Sequence, residues 1–288
     1  MYARILVPLD GSPQSEQVLH HAQNLAQTFK ASIDLVSAVE KQPDVPDSVA
    51  KDLEKECQEY LNGIASAFPA GLKPGRIVET GRPAEVVILD QAETRDATLI
   101  VMGTRGFSGL KRLILGSVAH KVVQAANTPV LLIPPDAKSP EGGPVEFKRL
   151  IVPLDGSTLA EHILPHAVAA AKTLDMELIL LRAYNPRFPG STIRMHEVSQ
   201  IVHDSAENYL KEKVSQLQAE GLTKVSYKIV RGIPSEQITD FAIETPNSVT
   251  AMCTHGRHGV GRWLLGSVTH AVIQCMEEPV FVVRTPHG

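Results

Sequence analysis

The chain repeats itself. Leu6-Val7-Pro8-Leu9-Asp10-Gly11-Ser12 returns as Ile151-Val152-Pro153-Leu154-Asp155-Gly156-Ser157, displaced by 145 residues, and Gly116-Ser117-Val118 returns as Gly266-Ser267-Val268, displaced by 150. The order of the segments is kept, so any fold proposed for the first half must also suit the second. At 288 residues each copy has enough chain to bury its own core. Between the copies, Pro134-Pro135-Asp136-Ala137-Lys138-Ser139-Pro140-Glu141-Gly142-Gly143-Pro144 suits neither a helix nor a well-paired strand. The expected organisation is a first domain over 1–137, a linker over 138–147 and a second domain over 148–288.

Within each copy, short apolar runs alternate with longer helical patterns. In the first copy the runs are Ile5–Leu9, Ile33–Val39, Arg76–Glu79, Thr98–Met102 and Val130–Ile133. Several are apolar without alternation, the mark of strands covered on both faces of a parallel sheet. Behind Ser12 as N-cap and Pro13 at the first helical position, Val18, Leu19, Ala22, Leu25, Ala26 and Phe29 recur at helical spacing. The second copy repeats the plan at Leu150–Leu154, Glu177–Leu181, Val225–Val230, Val249–Met252 and Val280–Val283, with a charge-rich helix over roughly Met195–Glu220. This is βαβ logic twice over. It predicts an α/β protein of two tandem doubly wound domains, each with a five-stranded parallel sheet ordered 3-2-1-4-5.

In such a sheet the winding reverses between strands one and four, and ligands bind at their carboxyl ends. Asp10 is expected to end the first strand and Gly103 to follow the fourth. Gly106 comes next, and Gly116-Ser117 opens a helical pattern through Val118, Val122 and Val123. A helix start presents free N–H groups and the positive end of the dipole, which suits phosphate. A carboxylate repels phosphate and suits ribose hydroxyls, a base edge or a bridging cation. Together the two ends describe a nucleotide, although glycines after strands also serve simply to turn the chain. No G-x-x-x-x-G-K-[ST] pattern occurs, nor a G-x-G-x-x-G behind the first strand.

The joint pattern Gly103-x2-Gly106-x9-Gly116-Ser117, with Asp10 at the first strand and "TPVLLI" closing the domain, resembles the ATP-binding branch of the universal stress protein family. The resemblance covers nearly the whole chain in two copies. It implies a flavodoxin-like sheet, binding of ATP, or of ADP or AMP, with or without Mg, and a stress-linked regulatory role. Carried residue by residue, it sets adenine and ribose against Pro8, Asp10 and the backbone of Ala38, and phosphates against Gly103, Gly106, Gly116, Ser117 and Val118. The matching positions in the second copy are Pro153, Asp155, Ala183, Gly256, Gly266, Ser267 and Val268. Cys253 stands where the first copy has Gly103. If Gly103 needs a left-handed backbone, the cysteine costs about 1 to 2 kcal/mol of strain, and its side chain narrows the phosphate approach. The second site is then the weaker one. The resemblance also implies that the halves pair through their last strands, as an intramolecular pseudo-dimer that is open to further homodimerisation and to an unknown protein partner.

Other function classes fit less well. A net charge of −4 gives no basic surface for nucleic acid. The amino terminus reaches Asp10 and Gly11 before any long apolar run, so neither a membrane anchor nor a signal peptide is expected. Three cysteines without paired spacing fit a reducing compartment, and the cytoplasm is the expected location. Cys253, His255 and His258 lie close together but lack a fourth metal ligand, and His255 and His258 match Arg105 and Ser108 of the first copy. Neither copy offers a recognisable catalytic constellation. A slow ATPase and a scaffold that binds no nucleotide stay as alternatives to a nucleotide-responsive protein.

Overall fold

Ile5, Leu6 and Val7 are each 0% exposed. Such a run can be a strand only if both of its faces are covered, and helices cover them here. The computed structural model describes residues 2–40, 46–104, 106, 115–135, 137, 147–185, 195–254 and 265–285. The chain divides into two compact units, Met1–Val145 and Glu146–Gly288.

In the first unit β1 (Arg4–Pro8) leads to two short helices, α1 (Pro13–Glu16) and α2 (Val18–Phe29). Sequence spacing suggested one helix behind Ser12, and the backbone breaks it at Gln17. The cap itself is as expected: Ser12 Oγ accepts the Ser15 N–H at 3.1 Å, and Pro13 occupies the first turn. Then follow β2 (Ser32–Val39), α3 (Asp47–Ser66), β3 (Gly75–Thr80), α4 (Ala84–Thr94), β4 (Leu99–Gly103), α5 (Ser117–Ala125) and β5 (Val130–Ile133). All pairings are parallel, in the order β3-β2-β1-β4-β5. Because β1 lies between β2 and β4, the chain winds outward in both directions from it, leaving a crevice above the carboxyl ends of β1 and β4.

The second unit runs β6 (Arg149–Pro153), α6 (Thr158–Glu161), α7 (Leu164–Leu174), β7 (Glu177–Tyr184), α8 (Met195–Ala219), β8 (Val225–Arg231), α9 (Pro234–Ile243), β9 (Ser248–Cys253), α10 (Ser267–Cys275) and β10 (Val280–Val283). Its parallel order is β10-β9-β6-β7-β8. Ser157 caps α6 as Ser12 caps α1, with Oγ accepting the Ala160 N–H at 3.2 Å. Among the described residues no helix is long and apolar enough to cross a membrane.

Candidate functional site

The loop after β1 is shaped by its own side chains. Asp10 Oδ1 accepts both the N–H of Ser12 (3.0 Å) and its hydroxyl (2.5 Å), while the Asp10 N–H donates to Ser15 Oγ (3.3 Å). These bonds fix the carboxylate two residues beyond β1. Tyr60 of α3 ties down the next turn by donating to Glu16 Oε1 at 3.0 Å. Burial and that bond both raise the Tyr60 pKa, so its phenol stays protonated and remains a donor.

Opposite this loop, the Gly116 N–H donates to Thr104 O at 2.7 Å, which returns the chain to the end of β4 just before α5 begins. The first helical bond of α5 runs from the His120 N–H to Gly116 O (2.9 Å), so the N–H groups of Ser117, Val118 and Ala119 precede the intrahelical ladder. Gly106 bridges the two walls. A β-carbon built on it would fall on Asp10 Oδ2, so a residue with a side chain cannot occupy this place unless the carboxylate moves.

A cavity of about 640 Å³ opens between these walls. Pro8, Asp10, Ala38, Gly103, Gly106, Gly116, Ser117 and Val118, the first-copy positions singled out from sequence, all line it. So do residues that the sequence reading passed over. Val36, Ala84, Ile88, Met102 and Ala119 supply apolar surface, and Glu40 adds a second carboxylate. Glu40 accepts the Ala84 N–H at 3.0 Å, which places its charge at the amino end of α4. Its position directly after an apolar strand, in register with Ala38, is the signal that could have found it.

In the second unit the same topology places Pro153 at the end of β6, Asp155 beyond it, Ala183 in β7, and Gly266, Ser267 and Val268 at the start of α10. Asp155 Oδ1 again accepts from the Ser157 N–H (2.9 Å) and hydroxyl (2.5 Å), and the Gly266 N–H donates to Thr254 O at 2.7 Å. Gly256 lies outside the described residues, as do Arg105, Ser108, His255 and His258.

The expectation for Cys253 needs correction. Gly103 is the last residue of β4, paired with Ile133, and is not among the positive-φ residues. Cys253 ends β9 in the same way, so its position demands no left-handed backbone. Its buried thiol lies against the backbone N–H of Ile163, between α6 and α7, and burial raises its pKa to about 12. The side chain therefore points toward α6 and α7. Among the described residues no group of three His, Cys, Asp or Glu side chains could hold a metal ion.

A sequence model of the universal stress protein family matches residues 1–134 and again residues 146–284. The chain belongs to that family. As a tandem universal stress protein it is 26% identical over 308 residues to one from Mycobacterium bovis, covering 98% of this chain and 95% of that protein. A universal stress protein of Methanocaldococcus jannaschii is 36% identical over 141 residues, 46% of this chain and 82% of the relative. The crystal structure of a universal stress protein from Archaeoglobus fulgidus aligns with a TM-score of 0.73 at 24% identity, covering 99% of this chain and 97% of that one. That last likeness speaks to the fold. Family membership supports a role in the stress response.

Proposed function

We propose that the first half binds an adenine nucleotide, ATP or its ADP or AMP relatives, and that occupancy tunes the conformation or partner binding of a stress-response regulator. The observation that carries this reading is the cavity at Gly106, where a carboxylate end and a helix amino end face each other. At the Asp10 and Glu40 end, acceptor-only groups favour hydroxyl or amino donors. At the Ser117 end, N–H groups and the helix dipole favour phosphate oxygens. The apolar wall between them suits the faces of a base. A volume of about 640 Å³ lies within the range typical of small-molecule and cofactor sites. Mg enters this proposal as a counter-ion carried by the phosphates. The adenine base itself comes from the family resemblance.

Titration calorimetry of the full chain with ATP, ADP and AMP tests the reading. Saturable binding of at least one is expected, and Gly106→Val should weaken it at least about tenfold, because the new side chain displaces the Asp10 carboxylate. No binding of any of the three, or unchanged affinity in a folded Gly106→Val chain, contradicts it.

A further inference from the structure

The second unit repeats the residues that frame the first crevice but not those of its wall. Aligning Gly81-x-Pro83 with Gly232-x-Pro234 sets Ala84 opposite Ser235 and Ile88 opposite Thr239, and the helix starts set Ala119 opposite Thr269. Ala84, Ile88 and Ala119 all line the first cavity. Each has a hydroxyl-bearing counterpart.

Two of these hydroxyls have defined roles. Thr239 Oγ1 donates to Ser235 O at 2.9 Å, and Thr269 Oγ1 donates to Cys253 O at 2.9 Å. Thr269 thereby sets a branched side chain across the end of β9, where Ala119 leaves room in the first half. A fourth change lies deeper. The thiol of Cys253 points toward α6 and α7, so by strand alternation Thr250 faces α9 and α10, on the crevice side. Thr250 is 0% exposed and its Oγ1 has no hydrogen-bond partner among the described residues. Ile100 takes its place in the first half.

A flat base gains affinity by burying its faces against apolar surface, and loses it where the wall is narrowed or carries polar atoms. We infer that the adenine ring is accepted by the first crevice and rejected by the second, and that Ser235, Thr239 and Thr269 make the difference. The inference rests on the proposed nucleotide reading of the first half. A loss of wall contacts of this kind discriminates by about 10- to 200-fold.

The experiment is calorimetry of the full chain with ATP, using wild type, Asp10→Asn, Asp155→Asn and the triple variant Ser235→Ala/Thr239→Ile/Thr269→Ala. The asparagines keep an oxygen to accept from Ser12 or Ser157 and so preserve the loops. Expected are one ATP per wild-type chain at the higher affinity, loss of that binding in Asp10→Asn, unchanged binding in Asp155→Asn, and a second site tightened at least about tenfold in the triple variant. Two equal sites in wild type overturn the inference while leaving the nucleotide reading standing, whereas loss of binding in Asp155→Asn with binding kept in Asp10→Asn overturns both, because it places the nucleotide in the second half. A triple variant that folds but gains no second site overturns the assignment to these three residues. No ATP binding in wild type overturns both proposals.

Discussion

Gly106 approaches Asp10 so closely that a β-carbon would land on the carboxylate, and the glycine is needed there for space rather than for backbone freedom. Sequence spacing drew attention to the glycine but not to this reason, because the close approach joins residues that lie far apart in the chain. At Cys253 the same kind of reasoning went astray. A cysteine in a glycine's place suggested a strained backbone, but the position is ordinary strand and the side chain lies beside Ile163. A buried thiol with its pKa raised to about 12 is a poor nucleophile at neutral pH. Native-state labelling with a thiol reagent should therefore modify the exposed Cys275 readily and leave Cys253 unmodified until the chain is denatured. Rapid native labelling of Cys253, read by peptide mass spectrometry, would contradict its placement.

Among the elements, α2 shows how a helix that supports the site carries a pH dependence. Its buried stripe of Val18, Ala22, Leu25 and Ala26 also holds His21. Burial first, and the neighbouring His20 second, lower the His21 pKa from 6.5 to about 4. The unfolded chain takes up a proton below pH 6.5 that the folded chain refuses until about pH 4, so stability is unaffected above that window and falls as the pH drops through it. The loss from this group is about 2 kcal/mol between pH 7 and pH 5. Chemical denaturation at the two pH values should show a smaller drop for His21→Gln than for wild type. His166 in α7, also shifted down by burial, keeps part of the dependence in the variant. An equal drop in both chains would show that His21 is not the group responsible. Most elements were legible in sequence because fully buried parallel strands read as unbroken apolar runs: Val130–Ile133 and Val280–Val283 match β5 and β10 end for end. Less legible were the break between α1 and α2 and the inclusion of Gly103 within β4, since backbone bonds to neighbouring segments decide both.

For the whole molecule, the repeat made the architecture readable and also hid a difference. Two copies of one motif frame draw attention to what is shared, namely Asp10 and Asp155, or the starts of α5 and α10. The wall residues Ala84, Ile88 and Ala119 and their counterparts Ser235, Thr239 and Thr269 belong to helices whose core-facing spacing looks alike in both copies. Glu40 was passed over for a related reason: one acidic residue after a strand is common, and only the folded chain sets it on the Ala84 N–H and in the cavity. The central claim is that an adenine base sits in the first crevice. Photo-crosslinking the full chain with an azido-adenine analogue of ATP, then mapping the label by peptide mass spectrometry, tests this most directly. The account predicts label on peptides within residues 8–40, 84–88 or 102–119, suppressed by excess ATP. Label confined to other peptides, or unaffected by ATP, would contradict it.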